Sequence, residues 1–132
     1  MKLIADTNLL VRAAVQDDLA QARLAMKALE AAELIVVPVP CFCEFAWVLL
    51  RAYKFTEADT VQAIQALLGI EKMVTNRPAV EAGLAVLNAG GDFADGVIAF
   101  EGRTMGGEVI VSFDAKAVKL LSKNKIPAQA PK

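Results

Sequence analysis

The sequence of 132 residues contains no histidine. Without an imidazole, neither a Ser-His-Asp triad nor a Cys-His pair can form, and zinc sites that use histidine are excluded as well. Any catalysis by this chain therefore depends on carboxylates, lysines, hydroxyl groups or a bound metal ion.

Cysteine, glycine and proline are also scarce. The two cysteines, Cys41 and Cys43, are close together in an apolar run, whereas a zinc site or a disulfide framework needs more of them. There are eight glycines and five prolines, while 56% of the residues are hydrophobic, which is the composition of a folded chain. The length predicts a single domain over residues 1–132.

Long apolar runs and a large net charge are absent too. The uncharged stretch 34–43 contains two prolines and ends at Glu44, well short of the about 20 apolar residues that span a bilayer. Asp6 interrupts the N-terminal apolar run before a signal peptide can form. The net charge is −1, although five lysines and one acid follow Glu108. We expect a soluble, cytoplasmic protein with no membrane partner, whose lysine-rich end is either a solvated face or a contact for phosphates.

Predicted strands and helices alternate along the chain. Short apolar runs predict strands at residues 2–5, 34–38, 73–74 and 108–113, and helical patterns occur at 19–33, 40–53, 56–68, 77–87, 92–105 and 114–123. The segment from Thr56 to Asp59 has the form of a helix capping box. This alternation predicts an α/β fold, a three-layer α/β/α sandwich with a central parallel sheet.

Two aspartates follow predicted strands directly. Asp6 ends the first strand and Asp114 ends the last one. Ligands of open parallel sheets bind at the carboxyl ends of the strands, so we expect both residues at the same edge. The simpler alternative is that each one caps the helix that follows it.

Glu44 lies within a strongly apolar segment. A helix through this segment is apolar nearly all round, which predicts that it is buried and that Glu44 is buried with it. In a second interpretation, Glu44 lies at a polar edge and pairs with Arg51, two turns along the same face.

Asp92 and Asp95 are three residues apart at the start of a predicted helix and so project from one face of its first turn. The helix dipole explains acids at such a place. Val97 and the apolar residues after it nevertheless place this turn close to the core.

If these acids converge, their repulsion needs a cation. Two carboxylates about 4 Å apart repel by about 4 kcal/mol at an effective dielectric constant of about 20. A site made only of carboxylate oxygens favours Mg²⁺ or Mn²⁺ over zinc or copper, and Mg²⁺ commonly takes its remaining ligands from a phosphate. The residue types therefore suggest metal-dependent phosphate chemistry.

At these same residues the chain resembles the PIN-domain ribonucleases and, among them, the VapC-type toxins of bacterial and archaeal toxin–antitoxin pairs. The similarity covers nearly the whole chain and rests on four segments in the right order: Asp6-Thr7-Asn8 after the first strand, Glu44 on the helix after the second, Asp92-Phe-Ala-Asp95-Gly-Val-Ile-Ala99 at the start of a late helix, and Ser112-Phe113-Asp114 at the end of the last strand.

The resemblance implies a role for each of these polar residues. The catalytic and metal-holding quartet would be Asp6, Glu44, Asp95 and Asp114, with Asp92 as an auxiliary acid, and with Asn8 and Ser112 supporting the cluster by hydrogen bonds. The implied reaction is endonucleolytic cleavage of RNA with one or two Mg²⁺ or Mn²⁺ ions. Implied partners are a VapB-like antitoxin and a second copy of the chain in a homodimer.

The chain departs from the family pattern at Gly96, where alanine is usual, and at Phe100 and Glu101. We expect the glycine to be a mild change and the other two to alter packing or a partner surface. The apolar helix faces suit either contacts with a partner or packing in the core. We expect most of them, Trp47 included, to pack in the core.

Two other functions are compatible with the same residues. The chain could be a housekeeping nuclease that processes RNA or acts on DNA at the same site. It could also be a non-catalytic regulatory module that holds an ion, as receiver domains do, although the adjacent acid pair expected at their first strand is absent.

Overall fold

The structure, a computed structural model, describes all of residues 1–132. It contains seven helices and five short strands. The chain forms two compact units, Met1–Arg77 and Pro78–Lys132. No helix has the length and the apolar character needed to cross a membrane.

The first unit alternates strands with helices, as predicted. In chain order its elements are β1 (Lys2–Ile4), α1 (Thr7–Ala14), α2 (Leu19–Ala31), β2 (Leu34–Val36), α3 (Val39–Arg51), α4 (Glu57–Leu68) and β3 (Met73–Val74). The three strands are parallel in the order β1-β2-β3, with Leu3 opposite Ile35 and Ile35 opposite Met73. Parallel strands need helical crossovers, and the intervening helices supply them.

The core of this unit lies between the sheet and its helices. Ile35 on the central strand is fully buried, as are Phe42, Phe45 and Leu49 on one side of α3. Helix α1 packs against α2 and α3, and α3 packs against α4. This packing holds the start of α1 and the middle of α3 in fixed positions relative to the end of β1.

The helix starts confirm the capping residues expected from sequence. The Thr56 hydroxyl accepts a hydrogen bond from the Asp59 backbone N–H at 3.0 Å, at the start of α4. Pro40 lies in the first turn of α3, where its missing N–H costs nothing.

The second unit continues the alternation. Its elements are α5 (Arg77–Asn88), which begins at the last residue of the first unit, then α6 (Phe93–Thr104), β4 (Ile110–Val111), α7 (Ala115–Lys123) and β5 (Ala128–Gln129). Strands β4 and β5 form a parallel pair, with Ile110 opposite Ala128.

The α/β class and the parallel strands are confirmed, but the strands belong to two sheets instead of one. The strand predicted at residues 108–113 is only two residues long and pairs with β5, which the sequence pattern did not reveal. Asp6 and Asp114 therefore follow strands of different sheets.

The second unit depends on a close approach of α6 to α5 at Gly96. A Cβ atom added there would collide with the carbonyl oxygen of Ala82 and lie 2.8 Å from the Gly83 Cα. Gly83 in turn faces the ring of Phe93, which is buried. The expectation that Gly96 is a mild change was wrong, because the missing side chain lets the two helix backbones meet.

Candidate active site

Asp6 is the N-cap of α1, directly after β1. Its Oδ1 accepts a hydrogen bond from the Leu9 backbone N–H at 2.9 Å. The capping interpretation is thus correct, and it leaves the second carboxylate oxygen, Oδ2, outside the cap. One carboxylate can cap a helix and bind a cation at the same time, because each role needs one oxygen.

Glu44 is exposed, which corrects the expectation that α3 buries it. The buried side of α3 is made of Phe42, Phe45 and Leu49, whereas Glu44 and Trp47 lie three residues apart on the side that faces solvent. Trp47 is 58% exposed, so its assignment to the core was also wrong. Because the solvent-facing side of α3 also carries apolar residues such as Trp47, the sequence pattern does not show which side of the helix is exposed.

A hydrogen bond from Thr7 holds the Glu44 carboxylate. The Thr7 hydroxyl donates to Glu44 Oε1 at 2.7 Å, between residues 37 positions apart in the chain. Thr7 directly follows Asp6, so the bond ties α3 to the end of β1. The alternative pairing of Glu44 with Arg51 is not seen, since the ion pairs of the structure involve other residues.

Asn8 is exposed beside these groups and hydrogen-bonds neither Asp6 nor Glu44. Together with Asp6 and Arg12 it lines a groove between α1 and α2. Arg12 pairs with Asp17 at 3.0 Å along one side of that groove.

Three more of the predicted acids lie in the second unit. Asp92 is the N-cap of α6 and accepts a hydrogen bond from the Ala94 N–H at 2.8 Å, and Asp95 lies in the first turn. Asp114 is the N-cap of α7 and accepts from the Ala117 N–H at 3.0 Å. The Ser112 hydroxyl accepts a hydrogen bond from the Asp114 backbone N–H at 3.0 Å.

The acids of the second unit interact electrostatically. Burial raises the pKa of Asp95 above its usual value, and the negative charges of Asp92 and then of Asp114 raise it further. The ionised form of Asp95 is therefore disfavoured by its surroundings.

The donor set suits a hard divalent cation. Neither unit by itself holds three or more acidic, cysteine or histidine side chains already arranged around a common point. The carboxylate oxygens are nevertheless the ligands that Mg²⁺ and Mn²⁺ prefer, and a cation beside Asp95 would offset the repulsion that raises its pKa. The residues therefore fit such a metal by their chemistry.

The structure draws attention to two residues to which the sequence assigns no role. No sequence pattern marks Thr7, because its link to Glu44 is a tertiary contact between residues 37 positions apart. Phe113 is 91% exposed, and no sequence pattern distinguishes such a phenylalanine from one in the core.

Residues 3–121 match the PIN domain family. The chain belongs to the PIN domain family. PIN domains are generally nucleases, and hence hydrolases, and they typically use divalent metal ions. The matched segment contains all seven of the residues that the sequence resemblance implies for the site and its support. Comparison with curated protein sequences gives no significant match.

Proposed function

We propose that this PIN domain is a Mg²⁺- or Mn²⁺-dependent endoribonuclease and that residues 1–132 act as one catalytic domain. Its catalytic and metal-holding residues are Asp6, Glu44, Asp95 and Asp114. The observation that carries the proposal is the family match over residues 3–121, which contains these four acids. The raised pKa of Asp95 supports it independently, because that carboxylate lies in surroundings that a cation would improve.

In this proposal, each residue of the site binds the cation, fixes a carboxylate that does, or adds negative charge beside one. Asp6 and Asp114 each use one oxygen to cap a helix, which fixes the carboxylate and leaves the other oxygen for the ion. Ser112 fixes the backbone of Asp114, and Thr7 fixes Glu44. Asp92 adds negative charge beside Asp95 and so strengthens the attraction for a cation.

A bound Mg²⁺ or Mn²⁺ would lower the pKa of a coordinated water and stabilise charge on the phosphate. This division of labour agrees with the composition, since the chain has no imidazole to serve as a general base. The protein then contributes position and charge, and the reaction requires no covalent intermediate on a side chain.

The finer proposal is that the nuclease is the toxin of a toxin–antitoxin pair of the VapC type. Support comes from the four motif segments and from exposed apolar side chains in the first unit that suit protein contacts, such as Trp47 at 58% and Leu24 at 68% exposure. A VapB-like antitoxin and a second copy of the chain are the proposed partners. A housekeeping nuclease with the same site is the main competing function.

The catalytic proposal is tested by incubating the purified chain with a mixture of RNAs in Mg²⁺ and then in excess EDTA. We expect cleavage that EDTA stops and that Asp6→Asn or Glu44→Gln reduces at least about 100-fold. Asp18→Asn is the matched control, because Asp18 caps α2 in the same way that Asp6 caps α1. Cleavage that survives EDTA, or full activity of both site variants, would refute the assignment.

The toxin role has its own test. Expression of the wild-type chain in a bacterial host should arrest growth, whereas expression of the Asp6→Asn variant should not. Normal growth in the presence of active, folded enzyme would favour the housekeeping function.

A further inference from the structure

Helix α7 carries a row of lysines on one side. Lys116, Lys119 and Lys123 are spaced so that they lie within about 60° of arc on a helix with about 3.6 residues per turn. All three are exposed, while Leu121 on the opposite side is buried. None of them takes part in an ion pair. We call these three residues the lysine row.

The lysine row belongs to a strongly basic segment of a chain that is otherwise slightly acidic. Residues 115–132 contain five lysines and no acid, although the net charge of the whole chain is −1. The segment has no Asp or Glu side chain that could neutralise the row, so its field reaches about 8 Å into solvent at physiological salt. Such a row attracts a polyanion.

An exposed aromatic ring lies at the start of the same helix. Phe113 is 91% exposed and directly precedes Asp114, the N-cap of α7. The ring is therefore free to contact a ligand, and its apolar surface would gain free energy if a partner removed it from water. Aromatic rings next to basic side chains are the usual means of binding single-stranded nucleic acid, since every base offers a face for stacking.

We propose that Phe113 and the lysine row form a track for single-stranded RNA. The phosphate backbone contacts the lysine row, and one base stacks on the ring of Phe113 beside Asp114. The inference rests on the proposed function, because Asp114 is one of the acids to which cleavage is assigned. The ring favours RNA over an acidic peptide as the partner, since lysines alone would serve either polyanion but a peptide has no base to stack.

The experiment compares three variants with a charge-matched control. Lys116, Lys119 and Lys123 are changed together to Gln in the first variant, and the other two are Phe113→Leu and Phe113→Tyr. The control changes Lys2, Lys27 and Lys54 to Gln, three exposed lysines of the first unit, so that the net charge falls equally. Affinity for a labelled RNA of about 12 nucleotides is measured by fluorescence anisotropy in EDTA, and kcat and KM are measured in Mg²⁺.

We expect the triple lysine variant to bind RNA about 10-fold more weakly and to reduce the slope of log affinity against log salt by about 2, at about 0.7 per phosphate. Phe113→Leu should weaken binding about 10-fold, whereas Phe113→Tyr should stay within about 3-fold of wild type, because stacking survives. In both weakened variants KM should rise while kcat and the midpoint of thermal unfolding stay unchanged. The control should match the wild type.

The outcomes separate the track from the proposed function. If the wild type cleaves RNA and the lysine and Phe113→Leu variants bind it equally well, the track is wrong and the nuclease stands. If the wild type cleaves no RNA but these substitutions weaken RNA binding, the nuclease is wrong and the track stands as a binding surface. Loss of affinity for a labelled poly-glutamate peptide alone, with RNA affinity retained, would overturn the track in favour of an acidic protein segment.

Discussion

The hydroxyl of Thr7 donates a 2.7 Å hydrogen bond to the carboxylate of Glu44, a residue 37 positions further along the chain. Glu44 is exposed, and an exposed glutamate normally samples many rotamers. The bond removes much of this freedom and directs the carboxylate towards the end of β1, where Asp6 begins α1. Thr7 thus fixes the position of an acid without being an acid itself.

The loss of this bond should weaken metal binding and catalysis through Glu44 alone. Thr7→Val keeps the shape of the side chain and removes the donor, so we expect Mn²⁺ affinity and kcat/KM to fall about 10-fold, as for other groups that orient metal ligands. Thr7→Ser should restore both. Isothermal titration calorimetry and RNA cleavage assays measure the two effects.

A double variant tests whether Thr7 acts through Glu44. In a Glu44→Gln background, Thr7→Val should have no further effect on Mn²⁺ affinity, because its partner no longer needs to be held. Thr104→Val is the matched control, since the Thr104 hydroxyl is exposed and bonds only a backbone carbonyl. Additive losses in the double variant would show that Thr7 does not work through Glu44.

Gly96→Ala should destabilise the fold. The added methyl would collide with the Ala82 carbonyl oxygen where α6 meets α5, and overpacking of this kind costs about 1–3 kcal/mol. Gly102→Ala is the matched control in the same helix, because nothing lies within 4 Å of its new Cβ. That variant should gain about 0.5–1 kcal/mol from helix propensity. Urea unfolding measures both, and equal stabilities would contradict the close helix contact.

Asp95→Asn should make the protein more stable at neutral pH while removing activity. The pKa of Asp95 in the folded chain is raised, so its folded state loses stability as the pH rises from the ordinary aspartate pKa through the raised one. Removal of the charge should raise the melting temperature in EDTA at pH 7 by about 1–3 °C. The gain over wild type should shrink as the pH falls through the raised pKa of Asp95, because the wild-type carboxyl takes up a proton there.

Asp59→Asn is the control for this effect, because Asp59 occupies the third position of α4 as Asp95 does in α6, but is exposed. It loses a favourable interaction with the helix dipole and gains nothing in return, so its melting temperature should stay the same or fall. A melting temperature that falls in Asp95→Asn as well would show that the folded chain does not disfavour the ionised form of Asp95.

The parts of the fold that were predictable from sequence are those set by local patterns. The alternation of apolar strands with amphipathic helices predicted the α/β class, and the hydroxyl of Thr56 and the carboxylates of Asp6 and Asp114 predicted helix starts. Strand β5 was not predicted, because two residues are too few to show a period. Its stability comes from pairing with β4.

The acids of the candidate site stay a prediction from sequence, and the structure corrects what the sequence indicated about their surroundings. Glu44 was expected to be buried because α3 is apolar nearly all round, yet the helix turns Trp47 and Glu44 to solvent together. The hydrogen bond from Thr7 and the contact of Gly96 with Ala82 both join residues distant in the sequence or on neighbouring helices. No local pattern contains such tertiary contacts.

We propose that the carboxylates of Asp6, Glu44, Asp95 and Asp114 hold a divalent cation for RNA cleavage. Calorimetric titration with Mn²⁺ tests this proposal most directly. The wild type and the cap control Asp18→Asn should bind Mn²⁺ saturably, and Asp6→Asn and Asp95→Asn should each bind it at least about 10-fold more weakly. The account is contradicted if the folded wild type shows no saturable binding, or if both site variants bind Mn²⁺ as tightly as the wild type does.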